Sequence, residues 1–198
     1  GGGNSGGSSS SGGSSGGIQT PAVNTTVTGS SAAAEVKASV DTNGNAKAAV
    51  TGAQLSDAAA KALAAAAKLN EPAKVEIKIE APASAKAVEV SIPQASLGEL
   101  AKGNIESLTI NTSDISITFD SNALMTTYAL SSGEVIVKAA KADISGLSEE
   151  AKAKIGDRPV FDISVTSGGK NISSFQDNVT VSVPYTPKAG EDLESIII

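Results

Sequence analysis

The chain has no histidine, no cysteine and no tryptophan among its 198 residues. Without imidazole there is no His-based general acid or base, no Ser-His-Asp triad and no imidazole metal ligand. Without thiol there is no cysteine nucleophile, no disulfide and no Cys-ligated zinc or iron–sulfur centre. The missing indole, with only two Tyr and three Phe, leaves little surface for stacking on sugars or bases. Positive charge is short: 15 Lys and Arg stand against 21 Asp and Glu, for a net −6, which argues against nucleic acid and anionic membrane as partners. Arg158 is the single arginine, so a bidentate phosphate clamp has little to build on. No apolar run approaches the roughly 18 residues of a membrane-spanning helix. No basic stretch followed by an apolar one marks a signal peptide in this chain. That fits a cytosolic protein or a mature exported segment, and a Cys-free, Thr/Ser/Asn-rich composition favours export. No catalytic constellation is visible. The chain reads as a non-enzyme that needs no cofactor.

What is present is glycine and serine at the start and alanine throughout. Gly1 to Gly17 contains nine Gly, seven Ser and one Asn, and cannot bury a core. It reads as a flexible linker whose root-mean-square span would be roughly 22 Å. Ile18 to Ser31 continues as an extended Thr/Ser/Pro/Val stretch, so residues 1–31 are assigned to the linker and 32–198 to a folded module. Apolar residues make up 40%, but 32 are Ala and aromatics only 3%, so the core is aliphatic and thin.

Period-2 alternation dominates the module. From Glu35 to Val50, Val36, Ala38 and Val40 share one face, followed by Asn43-Gly44 and then Ala46, Ala48 and Val50, which reads as a hairpin. Lys74–Ala81 and Ala87–Ile92 alternate aliphatic with charged residues and read as half-exposed antiparallel strands. One long helix opens at Thr51, with Gln54 completing a capping box. Leu55, Ala59, Ala62, Leu63 and Ala66 recur at helical spacing, and Asn70-Glu71-Pro72 ends it. Ser148–Ile155 reads as a short helix stopped by Gly156. Val160–Thr166 and Val179–Val183 read as strands, with a turn at Gly168-Gly169-Lys170-Asn171. The fold class that follows is mainly β (α+β). It is a β-sandwich-like arrangement of short, mostly antiparallel strands with one longer Ala-rich helix and several short helical connections, in one lobe or in two (32–145 and 146–198).

A unit recurs at an offset of 27 residues. Val90-Ser-Ile-Pro93 leads through a short helix containing Leu97 to Leu108-Thr-Ile110. Ile117-Thr-Phe-Asp120 leads through one containing Leu124 to Val135-Ile-Val137. A shorter third version joins Val181-Ser-Val-Pro184 to Leu193-Glu-Ser-Ile-Ile-Ile198. Duplication and convergence of strand-ending patterns both account for it. Either way Ser195–Ile198 reads as a strand. A domain seldom ends on a bare apolar strand. This reads as a fragment of a longer protein, a cleaved product or a partial chain, with Ile196, Ile197 and Ile198 as an edge for strand addition.

Candidate sites are few. Asp41, Asn43 and Asn45 have the Asp-x-Asn-x-Asn opening of a calcium loop. Ala46 and Gly52 stand where an EF-hand wants Gly and an acid, so a hairpin turn is the better reading. Arg158, flanked by Asp157 and Asp162, suits a buried ion pair pinning the helix-to-strand crossing better than an anion site, since Glu150 is also nearby. Glu191-Asp192 is a carboxylate pair with no aromatic platform beside it, and a solvated turn accounts for it better than glycosidase or calcium chemistry. Asn24, Asn111, Asn171 and Asn178 lie in N-glycosylation sequons, which matter only on a glycosylating export route.

Four segments carry a family resemblance: Ile117-Thr-Phe-Asp-Ser-Asn-Ala-Leu124, Ile155 through Lys170 with its Gly-Asp-Arg-Pro, Ile172-Ser-Ser-Phe175, and Val179 through Asp192 with its Val-Pro-Tyr-Thr. Together with the Gly/Ser leader, they resemble the module that precedes S-layer homology domains in Firmicutes cell-surface proteins, over roughly Ala34 to Ile198. The resemblance implies an exported, extracellular, non-enzymatic spacer at a Gram-positive cell wall, with partners in the same polypeptide: a distal functional part and a wall anchor. In such proteins the module continues through a further hairpin, often with a His-Phe-Ser-type strand, before the repeats. Neither is in this chain, so wall anchoring and any self-cleavage belong to residues outside it. Two other functions stay open: a surface-fibre or layer subunit completed by strand addition from a neighbouring copy, and a carbohydrate-binding module.

Overall fold

The computed structural model describes residues 23–156 and 158–185, and in it the fold is mainly β: two mixed six-stranded sheets joined by helices. The chain enters through β1 (Thr25–Thr28), which lies inside the segment read as linker. A tight turn at Gly29 (φ +58°) folds it antiparallel onto β2 (Ser31–Lys37). At Ala38 the chain changes sheets. β3 (Ser39–Val40) and β4 (Asn45–Ala49) form a hairpin in the second sheet, pairing Ser39 with Lys47 and Val40 with Ala46. The hairpin expected over 35–50 is therefore shorter, because its first half, up to Lys37, belongs to the other sheet. Continuous alternation does not reveal which sheet a strand joins.

Helix α1 (Gly52–Leu69) carries the chain back. Thr51 Oγ1 accepts from the Gln54 backbone N–H at 3.2 Å, and Gln54 Oε1 accepts from the Thr51 N–H at 2.9 Å. Asn70, left-handed at φ 54°, ends the helix. Leu55, Ala58, Ala62 and Ala66 are its buried stripe, while Leu63 is on the exposed side. Small alanines let the helix lie close on β1, β2 and β5 (Ala73–Glu80).

β5 was expected to be antiparallel. It is parallel to β2 on one side and to β7 (Ile105–Asn111) on the other. Parallel neighbours need a crossover of a dozen or more residues, and α1 supplies one. β6 (Ala87–Ile92) lies in the second sheet, parallel to β4. α2 (Gln94–Lys102) then crosses to β7. β8 (Ser116–Asp120) pairs antiparallel with β7, α3 (Ser121–Leu130) crosses back, and β9 (Val135–Lys141) pairs antiparallel with β6. After α4 (Glu149–Ile155) come β10 (Phe161–Ser167) beside β9, β11 (Lys170–Asn171) beside β10, and β12 (Val179–Ser182) beside β8. The sheet orders are β1-β2-β5-β7-β8-β12 and β11-β10-β9-β6-β4-β3.

The 27-residue offset is written into the pairing. Ile92 pairs with Val135, and their counterparts Phe119 and Leu108 pair with each other. Val90 pairs with Val137, and their counterparts Ile117 and Ile110 likewise pair. The units β6-α2-β7 and β8-α3-β9 thus exchange under a local two-fold operation, with α2 packed on α3. The two-fold stops at these units: β8 has β12 antiparallel on its other side, whereas β6, its equivalent, has β4 parallel beside it. Residues Ser195–Ile198 lie outside the described residues.

One aliphatic cluster fills the space between the sheets. It includes Ala32 and Val75 from the first sheet, Val90 and Val137 from the second, Leu97 and Leu124 from the helices, and also Val165 and Ile172. The segment after 145 therefore adds strands to both sheets and side chains to the same core. No helix among the described residues is long and apolar enough to cross a membrane.

Candidate functional site

The outward faces of the two sheets carry the polar chemistry. Directly opposed residues share a face, so pairing in register assembles rows across strands. On the second sheet Lys47, Glu89 and Lys138 form one such row. Lys138 Nζ lies 3.0 Å from Glu89 Oε1, and Lys47 Nζ lies 4.0 Å from Glu89 Oε2 and 3.4 Å from Asp41 Oδ2. On the first sheet Ser31 Oγ donates to Glu76 Oε1 at 2.7 Å and Asn111 Nδ2 donates to Glu76 Oε2 at 3.1 Å. The Thr109 and Thr118 hydroxyls meet at 2.9 Å one strand further on. These are cross-strand ties between β2, β5, β7 and β8. Exposed pairs of this kind contribute about 0–1 kcal/mol each and mainly fix register.

The calcium-like run is an Asx turn. Asp41 Oδ1 accepts from the backbone N–H groups of Asn43 at 2.9 Å and Asn45 at 3.0 Å, while Oδ2 faces Lys47. The Asn45 N–H bond is the largest influence; desolvation opposes it, and with the Asn43 N–H and Lys47 added the Asp41 carboxyl is held below its ordinary value. This is the geometry of a hairpin turn held by its own side chain.

Arg158 and Asp162 do not form the expected buried ion pair. Both are exposed, and Arg158 Nη1 donates to the Lys154 carbonyl at 3.2 Å, at the C-terminal end of α4 where a cation meets the helix dipole. The physical reason is the thinness of the module there: among the described residues α4 has none that is buried, so it offers no low-dielectric surround to an Arg158–Asp162 pair. Asp157, Glu191, Asp192, Ile196, Ile197 and Ile198 lie outside the described residues. Of the sequon asparagines, Asn24 Nδ2 donates to Glu35 Oε2 and Asn111 is tied to Glu76, while Asn171 and Asn178 are exposed.

Sequence reasoning missed a groove of about 320 Å³ at one open side of the sandwich, between β8 and β12 of the first sheet and β10 of the second. Ile117, Ile163, Val165, Ile172, Phe175 and Val179 line it. Phe175 meets Phe119 edge-on, with ring centroids 6.0 Å apart. The signal was available as alternation in 161–167, which identifies Ile163 and Val165 as core-facing. What the alternation cannot report is that Ile163, on the core-facing side of β10, lines an open groove.

Comparison with protein-family models, with curated proteins and with solved structures finds no match to this chain.

Proposed function

We propose that the chain is a non-catalytic spacer module of an exported bacterial cell-surface protein, of the kind associated with S-layers, set between a Gly/Ser-rich tether and further parts of the same polypeptide. The observation that carries this reading is the pairing of β1, which follows the Gly/Ser-rich stretch in sequence, with β2. Two residues after Val23, β1 is already in register with β2, with Thr25 opposite Ala34. Tension along the tether would therefore pass directly into a hydrogen-bonded sheet. Cross-strand ties on both outward faces, among them Glu89 to Lys138 and Glu76 to Ser31 and Asn111, support the same role by fixing the register of the strands. The resemblance of the Gly-Asp-Arg-Pro and Val-Pro-Tyr-Thr segments to modules preceding S-layer homology domains supports the cell-surface part of the reading.

Immunolabelling of intact cells of the native host, paired with fractionation, tests it. The reading expects the module to be reached by antibody without permeabilisation and to travel with the wall fraction. Labelling only after permeabilisation, with the protein in the cytoplasmic fraction, would overturn it.

A further inference from the structure

We propose that the two open edges of the first sheet pair with each other between copies of this chain: β12 of one copy adds antiparallel to β1 of the next, and Asp177 meets Lys68 across the seam. The inference is independent of where the protein resides and of the spacer reading. Among the described residues, β1 and β12 each have a neighbouring strand on one side only. Each is four residues long, Thr25-Thr-Val-Thr28 and Val179-Thr-Val-Ser182. Neither carries the lysine, proline or bulge that keeps other strands off an exposed edge.

Strand direction suits the contact. β1 is antiparallel to β2; β2, β5 and β7 are parallel; β8 reverses and β12 reverses again. β1 and β12 therefore run in opposite directions. A copy shifted sideways in the plane of the sheet, without turning over, brings them together antiparallel. The two ladders also have matching phase. The Glu35 N–H donates to the Asn24 carbonyl at 3.0 Å, and the Asp120 N–H donates to the Asn178 carbonyl at 3.5 Å. Antiparallel rungs alternate, so the backbone N–H and C=O groups of Val27 and of Val181 point outward to the open edges. Setting Val27 opposite Val181 joins both sets of groups. It also puts Thr26 opposite Ser182 and Thr28 opposite Thr180 on the outward face.

The side chains agree. Val27 pairs with Ala32 and Val181 with Ile117, so both valines are on the core side of the sheet, yet they are 47% and 39% exposed. Beside Val27 an open groove of about 540 Å³ runs along the C-terminal half of α1, lined by Ala64, Ala65 and Leu69 with Lys61 and Lys68. Val181 of a second copy would cover its Val27 wall. Charge is complementary at the same end. Lys61 is taken by Asp57 at 2.8 Å, whereas Lys68, exposed, stands in no ion pair among the described residues. Asp177, also exposed, accepts from the Asn122 and Asn178 amides and faces no cation among the described residues. Lys68 shares its groove with Gly29, just past the end of β1, and Asp177 stands just before the start of β12. Antiparallel pairing brings the end of β1 to the start of β12. Because the two edges differ, the contact is heterologous and repeats from copy to copy.

The native chain has no cysteine, which makes disulfide trapping unambiguous. Full-length Val27→Cys and Val181→Cys are mixed in equal amounts and oxidised. The expected product is a dimer on a non-reducing gel whose peptide map joins position 27 to position 181, in place of like-to-like dimers. Thr180→Cys, whose side chain leaves from the other face, should not link to position 27. Monomers alone, or links in the proportions that random collision gives, overturn the proposal. Adding Lys68→Glu to the first partner should cut the yield about two- to fivefold, the loss of an exposed ion pair. Adding Asp177→Lys to the second partner should then restore it. A yield unmoved by Lys68→Glu, or not recovered in the swapped pair, would set the two charges apart and also overturn it.

Discussion

At the contact of α2 with α3 a single missing methyl group sets the distance between two helices. A Cβ on Gly98 would stand 2.5 Å from Cε2 of Tyr128. That ring is not free to turn away: Lys102 Nζ sits 4.6 Å from its centroid and donates to its hydroxyl at 3.2 Å. Gly98→Ala should therefore cost about 1–3 kcal/mol by overpacking, despite the gain in helix propensity. Tyr128→Leu removes the obstructing edge, so the double variant should be more stable than the sum of the two single costs allows. Urea melts of the four proteins give the coupling energy directly, and strict additivity would show that the ring is not what Gly98 accommodates. Carboxylates set the acid limit at the same scale. Asp41 is held low first by the Asn45 N–H, Asp57 by Lys61 and then the Thr25 hydroxyl, and Asp143 by Ser145. Near the ordinary Asp value of about 3.9 the unfolded chain then binds more protons than the folded one. Their contribution is whole above that value and is lost as pH falls through the lower folded values. With no histidine to titrate between pH 5 and 8, Tm should be nearly level from about pH 5.5 to 8.5 and drop below about pH 4. Asp41→Asn keeps an acceptor for the two N–H groups but cannot titrate there, so its acid decline should be shallower than that of the native chain.

Elements were legible wherever one residue type repeated with one period. The α1 start at Thr51, the α4 stop at Gly156 and the strands around Val75, Val90 and Val165 follow from capping and alternation, which are local. Sheet membership was not legible, because Val36 and Val40 alternate in phase although Lys37 closes a strand in one sheet and Ser39 opens a strand in the other. Parallel pairing of β5 was hidden for the same reason, since its solvent-facing Lys74 and Lys78 look like those of an antiparallel strand. Of the sites, the Asp41 turn could be read from Asn43-Gly44, whereas the groove could not, because it depends on where two strands distant in sequence stop. The 27-residue repeat was legible and has an energetic consequence. Leu97 in α2 and Leu124 in α3 are equivalent positions, 2% and 0% exposed, inside one cluster. Leu97→Ala and Leu124→Ala should each cost about 2–5 kcal/mol, and their costs should lie within about 1 kcal/mol of each other if the local two-fold governs packing as it governs pairing. A much cheaper Leu97→Ala would mean that the two halves share register but not core.

For the whole molecule the direction of the strands fixes how a pull would be felt. Thr25 begins β1 opposite Ala34, and Ser182 ends β12 opposite Ser116, which in turn faces Asn111 beside Lys78. Following the pairings across, both ends leave from the same end of the first sheet, at its two opposite edges. They are separated by five inter-strand spacings, about 24 Å, so a load between them runs mostly across the strands and opens edge pairs rung by rung. Behind those edges the core is shared by both sheets and by residues on either side of position 145. Force spectroscopy with handles at Val23→Cys and Val183→Cys should show small releases as β1 and β12 peel. One principal rupture should follow, for a total gain near 530 Å: about 160 residues at up to 3.3–3.6 Å each, less the folded span. Two comparable ruptures dividing the chain near residue 145 would mean that the segment from 146 onward folds as a separate lobe, and that Val165 and Ile172 do not hold it to the rest as their burial requires.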